Sequence, residues 1–395
     1  STSETFVNDT GGVINITDSL ARLRGDWSNT NGTINALGNA TVEFEGVYST
    51  SDFGTINRTG TDTLLLQGDH DNTGDTFAIN AGTGDFVLDG STITGGTITE
   101  SGGANMQFSS RNGNIFDGVT FDSDLEIDRT SGRVRMQNGA DVTGDITLSG
   151  NNTFFSAEQD STWDNTFNLN ASGASINVAG DNTLTFAPTA VVNLNHSSTD
   201  ISDDSFAVGD AAVINQGTIN MDGGNGGTQA ITPDDFTNTG TVTILNNSTA
   251  NLGSTSTSET FVNDTGGVIN ITDSLARLRG DWSNANGTIN LNNNSTLELE
   301  GVYSTSDFGS IVRTGANTVL LQGDHDNTGD TLAINAATGI YRLDGSTITG
   351  GTITEAGGAK MQFGNSFNNI FSGVLFDSDL DLDVSSGDIR LQDGS

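Results

Sequence analysis

The 395-residue chain contains no cysteine, two prolines (Pro188 and Pro233), one lysine (Lys360) and three histidines. Without cysteine it has no disulfide and no thiolate metal site. Histidines at 70, 196 and 325 are too scattered for a zinc centre, which needs several converging ligands. Bases are scarce as well: 13 against 50 acids, for a net charge of −37. Such a chain repels the phosphates of nucleic acid and of anionic lipid, so neither is an expected partner. No apolar run approaches the ~18 residues of a membrane-spanning helix, which excludes membrane insertion by that route. No segment sustains apolar residues at helical spacing. Hydrophobic residues make up only 33%, and low hydrophobicity with high net charge is also a mark of disorder. Disordered chains, however, are rich in proline, glutamate and lysine. This one has 20 phenylalanines set in a regular pattern, which points to a narrow ordered fold.

What the chain does have is a long, gapless repeat. Ser1-Thr2-Ser3-Glu4-Thr5-Phe6 returns as Ser256-Thr257-Ser258-Glu259-Thr260-Phe261, and the register holds to the last residue. Of the 140 overlapping positions 35 differ, and the first 29 are identical. The chain therefore divides into one repeat unit, 1–255, and a partial second copy, 256–395. Within the unit, 1–140 is the duplicated part and 141–255 is seen once. A structural element that adds length is often copied this faithfully; a catalytic domain seldom is.

Between the ends of each copy, period-2 alternation recurs. Val42 and Phe44 alternate with Glu43 and Glu45, Leu125 and Ile127 with Glu126, Val134 and Met136 with Arg133 and Arg135. Successive side chains of a strand point to opposite faces, so the apolar set is expected inside and the charged set outside. A one-residue slip would bury the acids at several kcal/mol each. Glycine and asparagine, which tolerate tight corners, punctuate these runs every 6–12 residues. The pattern predicts an all-β chain with little helix: a β-solenoid, in the form of a right-handed parallel β-helix running as one continuous rod. Each coil is expected to hold three short strands and three corners over roughly 20–25 residues. Corner asparagines are expected to stack as a hydrogen-bonded ladder. Coils are expected to continue stacking beyond both ends of this sequence.

The strings Asn31-Gly32-Thr33-Ile34, Asn215-Gln216-Gly217-Thr218-Ile219 and Asn238-Thr239-Gly240-Thr241-Val242-Thr243-Ile244 resemble the β-strand repeats of large bacterial surface proteins, the filamentous-haemagglutinin-like and autotransporter-type adhesins. The resemblance spans most of the chain, but its motif is short. It implies a secreted, right-handed β-helical fibre or stalk and identifies no ligand. Taken together, the residues point to a structural, non-enzymatic fibre or adhesin stalk at a bacterial cell surface, with itself and cell-surface glycans as expected partners. The alternative, from another class, is a β-helix that binds or processes polysaccharide.

Candidate chemistry is thin. Gly68-Asp69-His70-Asp71-Asn72-Thr73-Gly74-Asp75 recurs unchanged at 323–330. Asp69, Asp71 and Asp75, and their counterparts Asp324, Asp326 and Asp330, have the alternate spacing that opens a Ca²⁺ loop. The bidentate acid that would close such a loop is replaced by Asn80, and an acidic corner is the plainer reading. His70 and His325 are expected in exposed polar corners. Trp27 and Trp282 are expected in core or corner packing rather than as sugar platforms. The pairs Glu43/Glu45 and Asp122/Asp124 could resemble glycosidase carboxylates, yet nothing sets one pair apart. Thr92-Ile93-Thr94 and Thr97-Ile98-Thr99 have the look of an ice-binding array, but they fall short of its many coils in register.

Overall fold

A computed structural model describes residues 5–205, 207–224, 226–380 and 389–395. The opening residues Ser1–Glu4 of the repeat lie outside the described residues. Roughly half of the chain is strand, and the described helix is limited to two short 3₁₀ turns, Thr50–Phe53 and Thr305–Phe308. Among the described residues the paired strands run parallel, and nearly all of the pairings join strands three places apart in sequence. Three strands thus make one coil of a β-solenoid.

Contacts divide the chain into two compact units. The first comprises Ser1–Ser161 with Asn165–Ala179, the second Thr162–Asp164 with Gly180–Ser395. In the first, the three faces start from Thr5–Val7, Val13–Thr17 and Leu20–Leu23, and Thr5–Val7 pairs with Asp26–Ser28. Successive partners lie 20 or 21 residues on: Val13 on Thr33, Leu20 on Thr41, Asp26 on Val47. The second unit has the same plan, with some longer coils. Val191 pairs with Thr218 and Asp200 with Ala230, beyond the expected coil length because the corners between them carry extra residues.

The alternation sets the register. Val42, Phe44, Ile127, Val134 and Met136 are completely buried and Leu125 is 1% exposed, whereas Glu43, Glu45 and Glu126 face outward. The substituted copy keeps the phase: Leu297 and Leu299 are buried where Val42 and Phe44 stand. Each such side chain contributes about 1.5–3 kcal/mol of burial. The outward acids find partners on the neighbouring coil. Arg24 Nε lies 2.7 Å from Glu45 and Arg279 Nε 2.8 Å from Glu300, and Arg22 and Arg277 pair with Glu43 and Glu298.

One glycine column shows why the corners cannot vary. Gly46 has φ +87°, and a Cβ there would sit 2.0 Å from the Gly25 carbonyl oxygen. The equivalent Gly301, at φ +79°, would meet Gly280 O at 2.1 Å. Corner backbones of successive coils touch, leaving no room for a side chain.

Candidate functional site

The repeated acidic segment is a strand followed by a corner, not a loop. Asp69–Asp71 pairs with Val47–Ser49 on one side and Thr92–Thr94 on the other. Asp69 and Asp71 point outward, roughly 7 Å apart along the strand, with His70 turned inward between them. Asp71 accepts a bond from Thr73 N at 3.0 Å, which with the Thr73 hydroxyl holds its carboxyl below the usual range. Asp75 lies past the corner, its backbone N donating to Asn72 O at 3.0 Å. Asp324, Asp326 and Asp330 repeat this arrangement, with Thr328 N 2.9 Å from Asp326. Among the described residues, no group of three or more His, Asp or Glu is placed to hold a metal ion.

The two histidines are not in exposed corners. His70 is completely buried and His325 is 1% exposed. The strand phase places each among aromatics. The His70 ring stacks on Tyr48 with centroids 5.1 Å apart, and Tyr48 lies 5.0 Å from Trp27. Phe77 packs edge-on to His70 at 5.0 Å. In the second copy Tyr303 stacks on His325 at 5.1 Å and packs, tilted, against Trp282 at 4.8 Å. Both tryptophans are core residues, 1% exposed, each donating its indole N–H to a glutamate carbonyl: Trp27 to Glu45 at 3.0 Å, Trp282 to Glu300 at 2.8 Å.

The histidine bonding is asymmetric. Thr50 Oγ1 donates to Asn72 Oδ1 at 2.5 Å, so His70 Nε2, 2.8 Å away, must donate to Thr50. His70 is then the neutral Nε2–H tautomer, and its buried Nδ1 has no partner. Thr305, Asn327 and His325 repeat the relay. Burial pushes both imidazoles down to about 4, against a smaller opposing pull from Asp71 and Asp52 on His70 and from Asp326 and Asp307 on His325.

Next to the aromatic columns runs a ladder of buried asparagines. In the second unit Asn215 Nδ2 donates to Asn238 Oδ1 at 2.7 Å, Asn238 to Asn263 at 2.7 Å, and Asn263 to Asn284 at 2.6 Å. Asn284 ends the run on Phe308 O at 2.7 Å. In the first unit Asn8 donates to Asn29 at 2.6 Å, and Asn29 to Phe53 O at 2.7 Å. The amides satisfy corner carbonyls that a turn would otherwise bury unpaired. The sequence motif marked these corners, and strand phase could have placed their asparagines inside: Val213 and Asn215 share one parity, as do Phe236 and Asn238.

Two carboxyls that sequence reasoning missed have unusual environments. Burial raises Glu100 to about 7, with Asp85, Glu126 and Asp124 adding to the effect; it accepts the Met106 N–H at 2.5 Å. With Asp124 and Glu126 it lines a surface groove beside the turn Ser101–Ala104. Burial, then Asp234, raises Asp203 to about 7. The pairs singled out from sequence, Glu43/Glu45 and Asp122/Asp124, are outward strand and corner residues.

No helix among the described residues is long and apolar enough to cross a membrane. No protein-family model matches this chain, and no curated protein is similar to it in sequence.

Proposed function

We propose that this chain is a structural scaffold: part of an extracellular bacterial fibre or adhesin stalk whose length is set by repeat number. The observation that carries the reading is the join between copies, which lies inside the second unit. Asp235–Asn238 pairs with Thr260–Asn263, Thr241–Ile244 with Val268–Ile271, and Thr249–Leu252 with Leu275–Leu278. All three faces cross residue 255 in register, so a new copy begins as simply the next coil. Trp27, Trp163, Trp282, Tyr48, Tyr303 and Tyr341 are buried, which withholds them from a sugar platform and favours the scaffold over a glycan cleft. Inserting one further 255-residue unit after Thr255 tests this. The maximum dimension in small-angle scattering is expected to grow by about 50 Å, with coils ~4.8 Å apart, and the circular dichroism per residue to stay constant. An unchanged dimension, or loss of the β signal, contradicts the reading.

From their alternate spacing we propose weak, surface Ca²⁺ association at Asp69, Asp71 and Asp75 and at Asp324, Asp326 and Asp330, with no closed site formed among the described residues. Calorimetry is expected to give a millimolar isotherm that Asp71→Asn with Asp326→Asn weakens; an isotherm unaltered by both substitutions refutes these ligands.

The groove at Glu100 favours the second reading, a polysaccharide-processing β-helix, because a raised carboxyl beside other acids can serve as a general acid. Sugar release from neutral or acidic polysaccharides that Glu100→Gln abolishes would establish it. The Met106 N–H bond gives Glu100 a purely structural use, and Glu355 repeats it on Met361 N at 2.6 Å.

A further inference from the structure

A chain with 50 acids and 13 bases leaves six successive strands on one face of the second unit without outward charge. These are Val191–Leu194, Thr218–Met221, Thr241–Ile244, Val268–Thr272, Thr288–Asn292 and Ser310–Thr314, paired in order. Their outward positions hold only Thr, Asn, Ser and Val. The one charged residue in these strands, Arg313, has the inward phase: it pairs with buried Leu291, and its guanidinium donates to Thr338 O and Ile340 O. In the first unit Val13–Thr17, Thr33–Gly38, Thr55–Gly60, Thr76–Ile79 and Thr97–Glu100 show the same pattern, with Arg58 and Glu100 in the inward phase, before the exposed Asp141 interrupts it two strands on. The other two faces of the second unit carry the charge, with Arg277 and Glu298 on one and Asp235, Asp281, Asp324 and Asp326 on the other.

We propose that this uncharged face is where two copies of the chain pair side by side, sheet against sheet. Three observations select a second copy as the occupant. Contact through either other face brings acids of two strongly anionic molecules together, whereas this face does not. A second copy also presents the same coil spacing, ~4.8 Å, so each row of side chains meets a row of equal pitch. Finally, the polar groups already bond along the face: Asn220 to Asn193 at 2.9 Å, Asn290 to Asn270 at 2.9 Å, and Thr314 to Asn292 Oδ1 at 2.8 Å. Amide ladders satisfied within their own sheet can be packed dry, as in a steric zipper. A glycan would instead draw on free donors and acceptors.

Six strands of four to five residues offer about 400 Å² per copy, or about 800 Å² in total, short of the ~1,200–2,000 Å² of a stable complex. Pairing through this face is therefore expected to be weak. The inference rests on the scaffold reading and names its partner and face. It can fail while an inserted repeat still lengthens the molecule, so the two are separable.

The test is sedimentation equilibrium of the full chain up to about 1 mM at low and high NaCl, where the shorter Debye length screens the repulsion between copies. The chain is expected to self-associate, more strongly at high salt. Thr243→Glu with Asn290→Glu is expected to raise the dissociation constant at least about tenfold. Thr237→Glu with Ser283→Glu, on a charged face, makes the same change in net charge and is expected to have a much smaller effect. Circular dichroism checks that both variants fold; if the first does not, Asn290→Lys alone replaces it. A wild-type chain that stays monomeric at 1 mM in high salt, or equal weakening by both pairs, overturns the proposal. So does monomeric retention on insoluble neutral polysaccharide that Thr243→Glu with Asn290→Glu removes, which would assign the face to a glycan.

Discussion

Asn238→Ala is expected to destabilise the second unit by about 3–5 kcal/mol, the sum of two orphaned buried amide groups and a small cavity. Asn238 is the middle rung of the buried ladder. Its Oδ1 accepts from Asn215 and its Nδ2 donates to Asn263, both at 2.7 Å, and all three residues are completely buried. Removing it leaves Asn215 a donor without its acceptor and Asn263 an acceptor without its donor, in a corner closed to water. The exposed ladder provides the contrast. Asn290 bonds to Asn270 at 2.9 Å on an outward face, where water can replace the lost partner, so Asn290→Ala is expected to cost under about 1 kcal/mol. Urea unfolding of the two variants, followed by circular dichroism, measures the difference. Equal costs would show that the ladder is decoration.

The second large effect is an acid response at His70 and His325. Each imidazole is buried neutral, with a folded value near 4 against 6.5 unfolded. Because the folded value is depressed, the contribution is fully present above pH 6.5. It falls away as the unfolded chain takes up the proton, and is gone below about pH 4. The loss amounts to about 3 kcal/mol for each histidine. Glu100 and Asp203 act the other way, since their raised values add stability as the pH falls from above 7 toward 4. The readout is therefore a difference: wild type against His70→Phe with His325→Phe, at pH 7.5 and at pH 4. The wild type is expected to lose more stability than the variant over this interval. Equal losses, or imidazole proton resonances that titrate near pH 6.5 for these two residues, would contradict the burial argument.

Much of the fold was legible because its determinants are local. Parity alone separates Phe44 from Glu45 and Ile127 from Glu126, and the 255-residue offset shows that the same parity survives substitution at Leu297 and Leu299. Coil pairing was less accessible, since the partner of Val191 lies 27 residues on and that of Val13 only 20, a difference set by corner insertions. The candidate site was read least well, for one physical reason. The corner asparagines do stack as the expected ladder, but His70 was assigned to an exposed corner by residue type, while strand phase places it, like Asn215 and Asn238, inside. What makes that burial tolerable is the neighbouring coil, which supplies Thr50 to His70 and one asparagine to the next. Glu100 was missed for the same cause: it shares the inward phase of Ile98 in its strand, and the turn Ser101–Ala104 lies beside it.

The central claim is that repeats are joined as successive coils, so that repeat number becomes length. Cryo-electron microscopy of the native assembled protein tests it most directly. The account predicts a filament with an axial layer spacing of ~4.8 Å, a longer periodicity of about 50 Å from the 255-residue unit, and density that passes from one copy to the next without a gap. Short discrete particles with capped ends, or copies separated by a linker with no shared ladder, would contradict it.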